Sequence, residues 1–364
     1  MPEIRIAIAG VGNCASSLLQ GLAYYSQHRQ GPQASVGLKH PELAGYHLWD
    51  IRPVAAFDID ARKVGRPLEE AIFAPPNNTR QITRPLPATG VIVKMGNTLD
   101  GVAAHLMDYP PEIRFEPAQL PPVDVAAELR SSGADILLNY LPVGSQKATE
   151  FYAQACLDAG TSLINCIPVF IVSDPNWASR FTQRGIPCVG DDIKAQLGAT
   201  VTHRTLAGLF NDRGVQIDRT YQINTGGNAD FLNMLERDRL GGKKISKTQA
   251  VQSQLDVPLQ NAQIHVGPSD FIPFLKDNKI CFLRLEGTGF GGVPLDLELR
   301  LSVEDSPNSA GVVVDAIRYC QFARHAKIAG PLELASAWTM KHPPKQIPEH
   351  EALKALHVWI TRNA

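Results

Sequence analysis

The 364-residue chain predicts an α/β fold: a doubly wound parallel sheet, followed by a second unit of different pattern. Three observations predict it. A short apolar run at the start ends in Gly10-x-Gly12-x-x-Ala15. Strands and helices then alternate as far as Gly190. Beyond about Ala195 the alternation gives way to longer strands with polar faces, and a late helix turns back toward the first unit.

Arg5 is the only charge between Ile4 and Ala9, so that run reads as a buried parallel strand. Gly10 permits a tight turn, Gly12 lets a backbone approach a pyrophosphate, and Ala15 is small enough for close helix–strand packing. From Ser16 to Tyr25, Leu18, Leu19, Leu22 and Ala23 recur at helical spacing. The N–H groups and dipole at that helix start would face phosphates, so the opening points to a dinucleotide. The plainer alternative is an ordinary strand–turn–helix unit.

Pro53–Asp58 is the next strand. Asp58 lies 43 residues after Ala15, where about 20 is usual for the acid that meets a ribose. The segment from Gln27 to Asp50 is therefore an insertion. A carboxylate at Asp58 would accept from a 2′-hydroxyl and repel a 2′-phosphate, favouring NAD over NADP; Arg62 and Lys63 lean the other way. Asp58 could instead cap a helix. Ala134–Leu141 is a strand, Gly144-Ser145 a turn and Glu150–Ala159 a helix. Thr161–Ile167 and Ile186–Gly190 are further strands. A polar, proline-rich stretch between Phe73 and Pro122, with Pro75-Pro-Asn-Asn-Thr79, reads as a second insertion over the cofactor edge or an interface.

In the second unit, Thr202–Phe210 is a helix and Val215–Ile223 a strand. Cys281–Glu286 and Val293–Leu301 are strands, the last strictly alternating, with Asp296, Glu298 and Arg300 on its polar face. Ser309–Ala326 is the returning helix, with Val312, Val313, Ile317 and Phe322 in its apolar set.

Composition narrows the function. Hydrophobic content of 44% with 20% charged residues describes a soluble globular chain, and a net charge of −1 gives no electrostatic case for nucleic acid or a membrane surface. Six cysteines show no C-x-x-C and no metal spacing, so they read as reduced core thiols of a cytoplasmic protein. No signal peptide and no apolar stretch of membrane-spanning length is expected.

Six places in the chain carry polar groups without an obvious core role. Gly190-Asp-Asp-Ile-Lys194 ends a strand, where sheets of this kind bind ligands; Asp192 and Lys194 would point the same way on an extended chain. Asn224-Thr-Gly-Gly-Asn228-Ala-Asp230 suits a loop that meets hydroxyls. Lys243 and Lys247 share one helix face, where two like charges repel unless an anion sits between them. Lys279 opens a strand, Lys341 follows a helix, and Asp305 begins the run into the returning helix. Each has a structural alternative: a helix cap, a turn or a solvated face.

Together these segments resemble the prokaryotic myo-inositol-1-phosphate synthase family over nearly the whole chain. The resemblance rests on Gly10-Val-Gly-Asn13-Cys14-Ala15-Ser-Ser17, Asn139-Tyr-Leu141-Pro142-Val-Gly-Ser145, Val189-Gly-Asp191-Asp-Ile-Lys194, Gly226–Leu235, Lys243–Gln249, Asp305-Ser-Pro-Asn308-Ser-Ala-Gly311 and Met340-Lys-His-Pro-Pro344. It implies redox-neutral, NAD-dependent isomerisation of D-glucose 6-phosphate. The steps are C5 oxidation, enolisation, attack of C6 on the C1 aldehyde, and C5 reduction. Oxyanions form in turn on C5, the enolate and C1, and fixed ammonium groups stabilise such charge. The resemblance implies that Lys243 moves the C5–OH proton, that Lys279 and Lys341 stabilise the enolate and alkoxide, and that Lys247 meets phosphate or oxyanion. Asp192, Asn224, Asn228, Asp230 and Lys194 would hold substrate or orient the lysines. Gly10, Gly12, Asn13, Cys14, Ala15, Asp58, Leu141, Pro142, Asp191, Asp305 and Asn308 would form the cofactor site.

The family also implies a discontinuous Rossmann domain of residues 1–195 and 306–364, and a mixed-sheet domain of 196–305 for catalysis and homotetramer assembly. A mono- or divalent cation beside the cofactor would be held by oxygens. Eukaryotic relatives carry a phosphate-gripping Ser-Gly-Gln-Thr stretch where this chain has Ala195-Gln-Leu-Gly-Ala-Thr200, leaving Gln196, Gly198 and Thr200 as contributors. Two other readings compete. A conventional NAD-dependent dehydrogenase of a sugar phosphate or polar acid would not need the separated lysines. A non-catalytic NAD sensor would leave them idle.

Overall fold

A computed structural model describes residues 3–363, apart from the side chains of Leu240, Lys243, Lys244, Pro268 and Ser269. Its main sheet has seven parallel strands. In chain order they are β1 (Ile4–Ala9), β2 (Ile51–Asp58), β3 (Lys94–Met95), β4 (Ile136–Asn139), β5 (Ser162–Asn165), β6 (Pro187–Gly190) and a late β11 (Gly330–Pro331). Their spatial order is β11-β6-β5-β4-β1-β2-β3. The order reverses between β1 and β4, which is where such sheets open a crevice at their carboxyl ends.

The alternation of side chains along β1 divides the core. Ile4, Ile6 and Ile8 face one layer, with Leu18 and Leu22 of α1 (Asn13–Gln27) and Val313, Ile317 and Cys320 of a returning helix. Ala7 and Ala9 face the other, with Leu129 and with Tyr152 and Cys156 of the helix Gln146–Ala159. Both faces are covered, so near-continuous apolar strands are required and the alternation cannot be polar.

The second sheet comprises β7 (Gln216–Gly226), β8 (Ile264–Phe271), β9 (Asn278–Thr288) and β10 (Pro294–Glu304) in the order β8-β7-β9-β10. β8 pairs with β7 in parallel and the other pairings are antiparallel, so the sheet is mixed. One face packs Ile217, Val266, Leu283 and Leu285 against Ala207 and Phe210 of the helix Ala199–Asp212 and Val251 of the helix Gly241–Gln252. The other face exposes Tyr221 and Phe282 beside ion pairs of Arg219 with Glu286 and Arg284 with Glu298.

Several elements outrun their sequence signals. β7 extends to Gly226, β10 to Glu304, and the returning helix runs Asp305–His325, starting four residues before the expected Ser309. Lys94–Met95, inside the proline-rich stretch, adds an edge strand to the parallel sheet. A C-terminal helix, Glu349–Asn363, has no counterpart in the sequence reading.

Candidate active site

The glycine turn connects β1 to α1. Gly10 has φ +93°, and a Cβ there would stand 2.6 Å from the Tyr140 carbonyl oxygen. The close approach of strand ends leaves room for nothing but hydrogen. Gly12 is the opposite case: a Cβ would meet no atom within 4 Å, because this face borders the cavity. Gly12 also N-caps α1 without a side-chain hydrogen bond, so the first N–H groups of the helix face a space that suits a pyrophosphate. Asp58, at the end of β2, also lines the cavity. Its carboxylate accepts from Val11 N at 2.7 Å, Ile59 N at 2.7 Å and Asp60 N at 2.9 Å. Loop, helix start and carboxylate together fit a dinucleotide.

Asn13 ties this turn to the proline-rich stretch and to the second sheet. Its Oδ1 accepts from Asn78 N at 2.8 Å and Thr79 N at 3.2 Å, and its Nδ2 donates to Asp277 Oδ1 at 3.1 Å. Asp277, 1% exposed, accepts as well from Thr79 Oγ1 at 2.7 Å, Asn228 Nδ2 at 2.9 Å and Ser306 Oγ at 2.9 Å. Burial, then the nearby Asp305 carboxylate, raise its pKa against these donors. The same surroundings hold the Cys14 thiol protonated: burial first, then Asp277 and Asp305, push it up to about 12.

The cavity continues from the glycine turn to the strand ends of the second sheet. Leu141 and Pro142 line it, and so do Asp192, Asn224, Asn228, Asp230, Lys247, Lys279, Lys341 and Asp305. Lys341 Nζ lies 2.8 Å from Asp192 Oδ1, and Ser246 Oγ donates to Asp192 Oδ2 at 2.7 Å. Lys279 Nζ lies 2.8 Å from Asp305 Oδ1. Burial alone would lower the Lys279 pKa, but the Asp305 carboxylate outweighs it and the net shift is upward. Asn224 Nδ2 donates to Gly267 O at 2.8 Å, and Asn228 Oδ1 caps the short helix Ala229–Asn233. Gly198 and Thr200 line the cavity at the start of the helix Ala199–Asp212. Gln196 turns away and donates to Gly37 O at 2.6 Å.

Ammonium groups held by buried or half-buried carboxylates, opening on a cavity shared with a glycine turn, can stabilise negative charge developing on a substrate beside a dinucleotide. The sequences of known proteins identify the family. An inositol-3-phosphate synthase from Mycolicibacterium smegmatis is 52% identical over 362 residues, covering 98% of each chain.

The chain belongs to the inositol-3-phosphate synthase family.

A second inositol-3-phosphate synthase, from Corynebacterium glutamicum, is 52% identical over 363 residues, again with 98% of both chains covered. Residues 198–306 match the family model described as Myo-inositol-1-phosphate synthase. The crystal structure of a myo-inositol-1-phosphate synthase-related protein from Thermotoga maritima superposes with a TM-score of 0.81 at 22% identity, covering 99% and 98% of the two chains. It shares the fold.

Four expectations for this inositol-3-phosphate synthase family member change in three dimensions. Asp192 has φ +64°, so the chain is not extended there, and Lys194 diverges from it. Lys194 Nζ donates to Ala337 O at 2.6 Å and pairs with Glu349 at 2.8 Å, at the cavity wall. Burial, with Arg204 and Lys341 nearby, lowers its pKa to about 8 against the pull of Glu349. Asp191 is fully buried and outside the cavity lining. Its carboxylate accepts from Asn165 Nδ2, Ile171 N, Val172 N and Ser173, bracing the turn beneath Asp192. Asn308 exchanges hydrogen bonds with Leu197 at 3.0 and 2.7 Å, holding the 196–198 turn instead of facing the cavity. Ala15 is buried in the α1 packing, as its small size suggested, and does not border the cavity. Lys243 lies in the helix Gly241–Gln252, but its side chain falls outside the described residues.

Two contributors have roles that the sequence did not signal. Asp277 is one. Lys63, 1% exposed, is the other: Nζ donates to Val11 O and Asn77 Oδ1 at 2.9 Å each, under the glycine turn. Burial lowers its pKa. The polar run Asn77-Asn-Thr79 was the available clue, since such a run in a proline-rich insertion needs partners. Among the described residues, no three His, Cys, Asp or Glu side chains converge as metal ligands, and no helix is long and apolar enough to cross a membrane.

Proposed function

We propose that this chain is an NAD-dependent inositol-3-phosphate synthase that isomerises D-glucose 6-phosphate without net redox change. The observation that carries the reading is one cavity lined both by the open face of Gly12 and by Lys247, Lys279 and Lys341. NAD, when bound, accepts hydride from C5 and later returns it. The chain's own groups do the rest. Gly10, Gly12 and the N-terminus of α1 cradle the pyrophosphate, and Asp58 meets the ribose. Lys279, fixed by Asp305, and Lys341, fixed by Asp192 and Ser246, stabilise the enolate and C1 alkoxide. Lys247 and the helix start at Gly198–Thr200 receive the phosphate. Lys243 carries the C5–OH proton by family resemblance. Asn224, Asn228 and Asp230 orient substrate hydroxyls or the lysines. A cation beside the nicotinamide would take oxygen ligands.

The assembly we propose is a homotetramer in the cytoplasm, built on the outward face of the second sheet, where Tyr221 and Phe282 are exposed. All six cysteines are unpaired, which suits a reducing compartment. The test is one incubation with glucose 6-phosphate and NAD, following inositol phosphate and the NADH absorbance band together. The expected result is carbocyclic product with no net NADH. NADH rising in step with substrate loss, and no carbocycle, would establish a conventional dehydrogenase.

A further inference from the structure

We infer that Lys63 is a positioning residue of the dinucleotide site, a role that rests on the NAD chemistry proposed above. From beneath the glycine turn it sets the Val11–Gly12 peptide so that the Gly12 N–H is presented to the cofactor pyrophosphate.

The turn is held group by group. Gly10 N donates to Phe57 O at 2.8 Å, and Val11 N donates to Asp58 Oδ2 at 2.7 Å. The next peptide carries the Val11 carbonyl and the Gly12 N–H. Gly12 has no Cβ to resist rotation of that peptide, and the space beside it is open to 4 Å. Side chains supply the constraint instead. Lys63 Nζ donates to Val11 O at 2.9 Å, and Asn77 Nδ2 donates to the same oxygen at 3.0 Å. The two donors brace each other, since Lys63 Nζ also donates to Asn77 Oδ1 at 2.9 Å. In a planar trans peptide the carbonyl and the following N–H point in opposite directions. With the carbonyl drawn onto Lys63 and Asn77, the Gly12 N–H is turned away from them. Lys63 and Asn77 line the same cavity as Gly12.

A plainer role for a buried lysine is to neutralise an acid. The partners argue against it. Both acceptors of Nζ are neutral oxygens. Asp58 accepts from three backbone amides, and Asp60 accepts from Arg62 Nε at 2.8 Å. Holding an ammonium at 1% exposure is costly, and burial lowers its pKa while Asp58 and Asp60 raise it. A bound diphosphate would offset that cost. The lysine also polarises the peptide it bonds, which strengthens the Gly12 N–H as a donor.

The test is calorimetric titration of the full-length chain with ADP-ribose, which carries the pyrophosphate, and with adenosine, which does not. Lys63→Met keeps the length of the side chain and removes the donor. It should weaken ADP-ribose by about ten- to a hundredfold, the weight of a hydrogen bond to a charged group, and leave adenosine affinity unchanged. A lysine that served only the fold would lose both together. Asn77→Ala, at a half-buried position, strips the other donor from Val11 O. It should show the same selectivity with a smaller loss, so the test survives if Lys63→Met fails to fold. Unchanged ADP-ribose affinity in either folded variant, or a parallel loss of adenosine, would overturn the role of Lys63 and leave the NAD chemistry standing. A wild type that binds neither NAD nor ADP-ribose would overturn the NAD chemistry, and the role of Lys63 with it.

Discussion

Lys341 Nζ stands 2.8 Å from Asp192 Oδ1, and the Lys341 amide donates to the Asp192 carbonyl at 2.7 Å. Side chain and backbone of the late segment are therefore both pinned where the chain leaves the parallel sheet. The pair delivers an ammonium to the cavity at a fixed depth, with Ser246 holding the other carboxylate oxygen. Preorganisation of this kind lets a charge act without rearranging when an oxyanion forms.

Lys341→Met removes that ammonium while keeping the length of the side chain. Turnover of glucose 6-phosphate should fall by about 10²–10³, the loss usual for one oxyanion partner, with NAD affinity retained. Steady-state rates and calorimetric NAD titration separate the two effects. Wild-type turnover in the variant would remove Lys341 from the mechanism.

The two glycines of the turn predict opposite phenotypes. Gly10→Ala places a methyl 2.6 Å from a carbonyl oxygen at φ +93°, so it should destabilise the fold by about 1–3 kcal/mol or more. Gly12→Ala, at φ −90° with open space before it, should leave the melting temperature unchanged and weaken NAD at least about tenfold by blocking its approach. Equal effects of both on stability would contradict the cavity assignment.

Asp277→Ala strands the donors of Asn13, Thr79, Asn228 and Ser306. Hydrogen bonds to charged groups contribute about 1.5–3 kcal/mol each, non-additively, so the expected loss is a few kcal/mol. Cofactor and substrate affinity should decline together, because Asn13, Asn228 and Ser306 lose a shared partner and all three line the cavity. Denaturant unfolding and the two titrations measure this; loss of only one affinity would show that Asp277 does not serve both binding regions.

His203 predicts an acid limb of stability. It is fully buried, with Nε2 2.9 Å from Thr220 Oγ1 and Nδ1 3.3 Å from Gln222 Oε1. Burial lowers its pKa to about 4, against a smaller upward pull from Gln222. Between pH 6.5 and 4 the unfolded chain takes up the proton and the folded chain does not. Stability is complete above about pH 6.5 and falls as pH drops toward 4, by roughly 3 kcal/mol from this group. His203→Gln should flatten that portion of the pH–stability curve; an unchanged slope would assign the acid sensitivity elsewhere.

The glycine turn, the alternating first half and the returning helix were legible because each has a local signature: small residues at fixed spacing, or apolar period. The lysines of the site were legible as chemistry, though not as geometry. Lys194 does not point with Asp192, because the positive φ of Asp192 breaks the strand alternation that would align them. Asp191 and Asn308 are spent on the backbone of the 171–173 and 196–198 turns, and in sequence a side chain that serves backbone groups looks like one that serves a ligand. Asp277 was missed because a single acid before a strand becomes a hub only when four distant segments meet.

The parallel sheet is finished by the last strand to be made. Ile4, Ile6 and Ile8 leave the ribosome some 300 residues before the helix that shields them, which begins at Asp305, and β11 follows at Gly330. Synthesis of the intervening second unit takes roughly ten seconds at usual elongation rates. Throughout that interval the nascent first unit presents a greasy, half-clad flank. Trigger-factor-like holding and the speed of elongation, more than final stability, should set the yield of soluble enzyme. A fragment that stops short of Asp305 should clump on release instead of persisting as a separate cofactor-binding piece.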